Sequence, residues 1–188
     1  GSQAVIERAK GDAGANLVTY TKMLRMCKAD DAVGPIQAAA ETCDVAAVAY
    51  MCGDVLYERN VAIALPRVQA WLADPDNRAK VSGIRQMSVQ KGTDRDAALA
   101  AYTTVDTPRE LQNAVIEVCA SKRDLSTDHL RKLLAIEDQD LFESVIAAIS
   151  MNKLFEYIPD LEAIGQAAGT LRGRRCAALA DTLKGIQK

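Results

Sequence analysis

One stretch decides the fold of this chain: Val18-Thr19-Tyr20-Thr21-Lys22-Met23-Leu24-Arg25-Met26-Cys27-Lys28. Within it, mostly apolar side chains stand at offsets of 0, 3, 4 and 7 residues, counted from Tyr20. Because an α-helix has about 3.6 residues per turn, these offsets place four side chains on one face of a helix. The stretch therefore predicts an amphipathic helix that packs through one side.

The same ladder of offsets recurs along the chain. Its four copies are Tyr20-Met23-Leu24-Cys27, Val48-Met51-Cys52-Val55, Gln112-Val115-Ile116-Cys119 and Phe142-Val145-Ile146-Ile149. Their starts are 28, 64 and 30 residues apart, which fits a unit of roughly 30 residues with one degenerate copy in the long gap. Three prolines show the same period: Pro35, Pro66 and Pro159. They are separated by 31 and 93 residues, which are one and three times 31. A fixed period of this size predicts stacked supersecondary units.

The composition favours helices throughout. Hydrophobic residues make up 49% of the chain but aromatic residues only 4%, and alanine supplies much of the apolar content. Good helix formers are abundant, and no segment alternates between apolar and polar residues as a strand does. The sequence predicts an all-α fold, specifically a right-handed α-solenoid of about five helix-turn-helix repeats plus a C-terminal capping helix. A helical bundle with one central core is the alternative.

Turn signals and the period set the predicted boundaries. The chain is expected to be a single helical-repeat domain over 1–188, with the capping helix at 170–188. Repeats are predicted at 15–43, 44–76, 78–107, 108–137 and 139–168. Residues 1–3 lack an initiator Met and are interpreted as the remnant of an expression tag, so the chain is expected to be an excised domain or a mature form. Trp71 is expected in the core between second helices.

Charge and cysteine content limit the classes of function. The formal net charge is −2, so the chain lacks the strong basic excess of proteins that bind nucleic acid without specificity. Five cysteines form no CxxC pair, which predicts structural thiols in a reducing compartment. No apolar run of about 18 residues occurs, so no membrane span is expected.

No enzyme signature is found in the sequence. His129 is the only histidine, stands at a predicted helix start, and is interpreted as a capping or surface residue. The chain has no Gly-rich phosphate loop, no HExxH metal spacing and no nucleophile elbow. We therefore expect a non-catalytic protein with no cofactor, no metal and no small-molecule substrate.

Three segments resemble pentatricopeptide repeats. Residues 18–28 look like the opening of such a repeat, with a VTY-type start, a hydrophobic pair and a final Cys-Lys. Residues 112–120 are similar to the family's aromatic-Asn-x-x-Ile-x-x-Cys opening, and residues 142–149 form a third match that lacks the cysteine. The resemblance covers most of 15–165. Tetratricopeptide-type repeats, which share the helix-pair geometry, are the alternative.

The resemblance implies binding of single-stranded RNA in a groove lined by the first helices of the repeats. It also implies that the residue after the opening position of each ladder reads one base together with the last residue of the repeat. Asn113 with Asp138 is similar to the family's uracil-reading pair, and Thr21 could act in the same way. An Asn amide offers both a donor and an acceptor to a base edge, and a carboxylate nearby can orient it. The alternative is that Asn113 is an exposed helix residue and Asp138 an N-cap.

Phosphate contacts would need basic side chains. The densest basic spot contains Arg172, Arg174 and Arg175, and a weaker group contains Lys122 and Arg123. These residues are either RNA or partner contacts, or simply solvated helix faces.

Two functions from different classes follow. The first is a single-stranded RNA-binding domain of an RNA-processing or translation factor, located in mitochondria or plastids as the resemblance implies. The second is a protein-protein interaction scaffold, with tetratricopeptide-like or degenerate pentatricopeptide repeats, in a larger complex. A cytoplasmic location is the alternative to the organelle.

Overall fold

A computed structural model describes residues 1–92, 94–167 and 169–187, and at 29–31 it describes the backbone alone. Over these residues all regular structure is helical and no strand occurs, which confirms the all-α prediction. The helices are α1 (Ser2–Gly11), α2 (Leu17–Met26), α3 (Ala29–Thr42), α4 (Ala46–Glu58), α5 (Leu65–Ala73), α6 (Asn77–Ser88), α7 (Asp94–Ala100), α8 (Arg109–Ser121), α9 (Asp128–Ala135), α10 (Gln139–Met151), α11 (Ile158–Gly165) and α12 (Leu171–Gln187). A short 3-10 helix at Phe155–Tyr157 leads into α11.

The chain divides into two compact units, Gly1–Arg95 and Asp96–Lys188. In the first unit, α2, α4 and α6 pack against one another in that order. Helix α3 packs against α4, α5 packs against α6, and α1 covers parts of α2 and α3. Each helix therefore contacts near neighbours in the sequence.

The second unit repeats this plan. Helix α10 packs between α8 and α12, α9 packs against both α8 and α10, and α11 packs closely against α12. Helix α6 of the first unit begins at Asn77, one residue before the predicted repeat start at 78. The handedness of the solenoid, the number of repeats and the single domain over 1–188 stay predictions.

Three of the four ladders form buried helix faces. All four ladder residues of α4, of α8 and of α10 are buried, including Gln112. The first ladder is different, because only Leu24 on α2 is buried and Met23 is 38% exposed. The expectation of a buried apolar face was therefore wrong for α2, although the helix itself forms.

Helix α1 was not predicted. It buries Ser2, Val5, Ile6 and Ala9, but no side chain caps its start. A pattern of this length without a capping residue is weak evidence for a helix in a sequence. Residues 2 and 3 lie within this helix.

Trp71 lies in the core as predicted, but it packs against a first helix. Its indole ring meets Tyr50 of α4, a first helix, edge to face with 5.4 Å between the ring centroids. It also lies against Gly53 of α4, where an added Cβ would come within 2.7 Å of two indole carbons. The absence of a side chain at Gly53 lets the largest aromatic residue of the chain approach the α4 backbone.

The sequence period reappears in the contacts. Ion pairs between helices join Arg25 to Glu58, Arg85 to Asp54, Arg109 to Asp138, Arg131 to Asp160 and Arg175 to Glu143. The partners are 33, 31, 29, 29 and 32 residues apart. One repeat length therefore separates the side chains that hold neighbouring helices together.

Candidate functional site

In the first unit, an arginine of α2 and an arginine of α6 pair with carboxylates of α4, which lies between them. The Arg25 guanidinium on α2 pairs with Glu58 on α4, and its Nε lies 2.7 Å from a carboxylate oxygen. One turn back along α4, Asp54 accepts a hydrogen bond of 2.8 Å from Arg85 on α6. Arg25 and Arg85 thus each meet a carboxylate of α4, so these pairs form no continuous positive stripe.

The second unit has the same arrangement on its corresponding helices. Arg109 at the start of α8 pairs with Asp138 at the start of α10, and Arg175 on α12 pairs with Glu143 on α10. These carboxylates are 40% and 35% exposed, so water screens the pairs in part. The pairs nevertheless use two cations and two anions that a ligand would otherwise meet.

Asp138 is the N-cap of α10. Its carboxylate accepts a hydrogen bond of 2.9 Å from the backbone N–H of Leu141 and pairs with the Arg109 guanidinium. The hydrogen bond from Arg109, followed by that from Leu141, lowers the pKa of this carboxyl below its ordinary value. Of the two interpretations that the sequence offered, the capping geometry is the one found here.

Asn113 lies exposed on α8, and its side chain makes no hydrogen bond within the described part of the chain. The structure therefore does not join Asn113 to Asp138, although both belong to the second unit. Thr21 is half-buried on α2, and its hydroxyl donates to the carbonyl of Leu17 at 2.7 Å. Of the predicted base readers, Asn113 thus has an amide without a hydrogen bond to the described residues. The carboxylate of Asp138 and the hydroxyl of Thr21 are already hydrogen-bonded within the chain.

The predicted phosphate contacts also differ among themselves. Arg172, Arg175 and Arg123 are engaged by other parts of the chain. Arg123 donates to the carbonyl of Asn152 and lies near Glu156, while Lys122 is half-buried and interacts within the chain. Arg174 is exposed, and its guanidinium has no ionic or hydrogen-bonded partner among the described residues.

Arg172 holds the end of a helix. Its Nη2 donates to the carbonyls of Leu134 and Ile136, at 2.7 and 3.0 Å, where α9 ends. The guanidinium also lies over the ring of Phe142, 4.4 Å from the centroid. The last carbonyls of a helix have no partner inside it, so one planar cation satisfies two of them.

Two arginines of the first unit do the same. Arg59 donates to the carbonyls of Leu24 and Cys27 at the end of α2, at 2.8 and 3.2 Å. Arg67 donates to Ala40 and Cys43 at the end of α3, both at 3.3 Å. This role was not predicted, because its only trace in the sequence is an arginine 24 to 38 residues after a helix end.

The interpretation of His129 as a capping or surface residue was wrong. The side chain is 3% exposed, and its Nε2 lies 2.8 Å from Oδ1 of Asp96. The same oxygen accepts a hydrogen bond of 2.9 Å from the backbone N–H of Ser126. The carboxylate of Asp96 therefore binds the start of α9 at two points, which the residue types alone did not indicate.

The cysteines are thiols, and four of the five are buried. Burial raises the pKa of Cys52 and of Cys119 to about 12, which keeps both thiols protonated at neutral pH. Over the residues that the structure describes, no group of three or more His, Cys, Asp or Glu side chains could hold a metal ion.

A cavity of about 430 Å³ lies between α9, α11 and the start of α12. Its charged wall consists of Arg131, Asp160, Glu137 and Arg172, and its apolar wall includes Leu134 and Ile164. Arg131 and Asp160 bind each other with two bonds of 3.0 Å, and Arg172 binds the end of α9. These three charged groups of the cavity wall are therefore already engaged within the fold.

None of the helices in the described ranges is long and apolar enough to cross a membrane. Comparisons of the chain with protein-family models, with curated proteins and with solved structures found no match. The likeness to pentatricopeptide repeats therefore stands on the quoted residues alone.

Proposed function

We propose that this chain is a non-catalytic protein-interaction scaffold, built as a right-handed α-solenoid of about five helix pairs with α12 as its C-terminal cap. The serial packing of helices within each unit supports the solenoid. So does the spacing of ion pairs by one repeat length.

The observation that carries the proposal is the engagement of the basic side chains. Non-specific affinity for RNA comes mainly from cations that neutralise phosphates and release counterions. Arg25, Arg85, Arg109 and Arg175 pair with carboxylates of neighbouring helices, and Arg172 binds helix carbonyls. A chain of net charge −2 that uses these five arginines in this way offers fewer cations to a polyanion.

Single-stranded RNA is the second candidate ligand, and two residues favour it. Asn113 presents its amide to solvent, and Arg174 presents a guanidinium that is unpaired among the described residues. Together with the resemblance to pentatricopeptide repeats, they support an RNA-binding domain of an organellar factor. A mitochondrial or plastid location belongs to that proposal, and a cytoplasmic location is compatible with the scaffold.

Fluorescence anisotropy with a labelled uridine-rich strand separates the two. If the chain is a scaffold, we expect no salt-sensitive binding of the strand. Such binding would be present at low salt and would weaken steeply as the salt concentration rises. Salt-dependent binding would overturn the proposal if Arg174→Ala and Arg175→Ala together flatten the salt slope by about one to two units. In that case Asn113→Ala should lower the binding free energy by on the order of 1 kcal/mol, because it removes a base-edge contact. The loss should appear mainly for strands with uridine at the one position that Asn113 contacts.

Photocrosslinking tests the scaffold directly. We would place p-benzoylphenylalanine at exposed positions 26, 113 and 151, one variant at a time, and irradiate each in a lysate of the cells that contain the protein. We expect at least one discrete adduct of higher mass that persists after ribonuclease treatment. Adducts that ribonuclease removes would replace the scaffold with the RNA-binding domain.

A further inference from the structure

Helix α2 is packed much less than the other first helices. Of its ten residues only Leu24 is buried, whereas α4 buries eight of thirteen residues and α10 buries five of thirteen. It contacts α1 and α4 through its inner side. Most of α2 therefore faces solvent.

The outer side of α2 is apolar with one cation. Val18, Lys22 and Met26 are spaced by four residues and so follow one face of the helix, on the side away from Leu24. Val18 is 71% exposed and Met26 is 84% exposed, and Met23 lies beside them at 38%. We call Val18, Lys22, Met23 and Met26 the outer stripe.

The charges that α2 itself carries have one sign. Residues 17–28 contain Lys22, Arg25 and Lys28 and no acidic residue, in a chain whose net charge is −2. Arg25 is occupied by Glu58, while Lys22 is exposed and makes no ion pair with any described residue. Lys22 therefore provides a positive charge in the middle of an apolar surface.

These observations indicate the kind of partner that fits. Val18 and Met26 lose contact with water only against another apolar surface, which an RNA backbone does not supply. Methionine side chains are flexible and pack well against varied apolar partners. A symmetric contact between two copies through the stripe would bring Lys22 against its own equivalent, and like charges repel.

We propose that the outer stripe of α2 binds an acidic amphipathic helix of a partner protein. Apolar side chains of that helix, one or two turns apart, cover Val18 and Met26, and a carboxylate pairs with Lys22. An ion pair of the same kind already joins α2 to α4, where Arg25 meets Glu58. This inference rests on the proposed scaffold function and gives it a site and a partner class.

The test uses the full chain and two labelled peptides of about 18 residues, long enough to form a helix on binding. One peptide carries leucines at i, i+4 and i+8 with glutamates at the flanking positions. The other has a lysine in place of each glutamate. We expect the wild-type chain to bind the acidic peptide and to bind the basic peptide at least about tenfold more weakly, because Lys22 repels it.

Three substitutions locate the binding. Met26→Asp should weaken binding of the acidic peptide by about tenfold or more. The new carboxylate lies within the apolar contact and repels the glutamates of the peptide. Lys22→Glu should reverse the preference between the peptides. Met151→Asp is the matched control, since Met151 is 81% exposed on α10 of the other unit, and it should leave binding unchanged. Circular dichroism and melting should stay at wild-type values in all three, because these side chains are exposed.

The inference fails if the acidic peptide binds no better than the basic one, or if Met151→Asp weakens binding as much as Met26→Asp. It also fails if the wild-type chain dimerises and Met26→Asp abolishes the dimer, since the stripe would then hold a second copy. The photocrosslinking distinguishes this failure from that of the scaffold. A protein adduct from position 151 and none from position 26 would leave the scaffold standing and remove α2 as its site.

Discussion

Single arginines anchor helix ends in both units. Arg172 binds two carbonyls at the end of α9 and lies over Phe142, and Arg59 binds two carbonyls at the end of α2. A guanidinium suits this role because its donors are fixed in one plane and its charge complements the negative end of the helix dipole. These residues look like surface cations in a sequence, and the fold uses them as caps.

Replacing Arg172 by Met should lower the free energy of unfolding by about 2 kcal/mol, because two helix carbonyls lose a charged donor. Arg172→Lys should recover only part of this, since an ammonium cannot lie flat on the Phe142 ring while reaching both carbonyls. Urea denaturation measures both values. Arg174→Met, two residues along the same helix, should stay within about 0.5 kcal/mol of wild type because Arg174 is exposed. Equal losses at 172 and 174 would show that the carbonyl contacts contribute nothing.

We expect the ion pair and the hydrogen bond of Asp138 to make the stability of the fold depend on pH. Its pKa is lowered in the folded chain by Arg109 and by the N–H of Leu141. The stabilisation is therefore complete above the ordinary carboxyl pKa of about 3.9 and disappears as the pH falls through the lowered value. Asp138→Asn, which still caps a helix, should be less stable than wild type at pH 7 and should lose less stability as acid is added.

Denaturation curves at a series of pH values between about 7 and 2 test this behaviour. Asp181→Asn, at an exposed position on α12, is the control and should follow the wild-type curve. Parallel curves for wild type and Asp138→Asn would show that the pair with Arg109 does not stabilise the fold.

At the scale of elements, close approach of α4 and α5 depends on one glycine. Gly53 lies inside α4, where alanine is normally better by about 1 kcal/mol. Gly53→Ala should nevertheless destabilise the chain by about 1–3 kcal/mol, because the new methyl group would overlap the Trp71 indole. Gly185→Ala on α12 is the matched control: an added Cβ there would meet nothing within 4 Å, so the change should be neutral or stabilising. Thermal melting of both variants measures these changes. If Gly53→Ala is more stable than wild type, α5 can move aside to make room for the methyl group.

The helices show what the apolar sequence patterns can and cannot predict. Three ladders predicted buried faces correctly because their apolar residues meet a helix on more than one side, as in α4 between α2 and α6. The ladder of α2 has the same spacing but a neighbour on fewer sides, so Met23 stays exposed. Periodicity gives the face that a helix would bury, whereas tertiary neighbours decide whether that face is covered. Helix α1 was missed because no side chain caps its start and residues 1–3 were interpreted as a tag remnant.

For the whole molecule, position in the stack should set local stability. Helix α4 lies between two neighbours and α2 has one buried side chain, so α2 should open more readily. Hydrogen exchange followed by mass spectrometry should show faster exchange in peptides from 17–26 than in peptides from 46–58. Equal protection of the two segments would contradict this order.

Fold class followed from the sequence more readily than function did. Helix formers, the period and the turn signals predicted the all-α architecture because these signals are local. The N-cap role of Asp138 was among the alternatives, but the partners of Asp138, Arg172 and His129 could not be predicted. These partners are Arg109, the end of α9 and Asp96, each about one repeat away. The period itself contained that information, since residues one unit apart are neighbours in a stacked array.

The spacing of those contacts has a consequence for how the chain acquires its structure. The ion pairs and side-chain bonds between helices described above join residues 24 to 38 positions apart. Such a low contact order favours rapid folding, because only short loops must close before stabilising contacts form. At a synthesis rate of about 5–20 residues per second, each helix leaves the ribosome within seconds of the partner it needs. The first unit can therefore complete its stack while the second is still being translated.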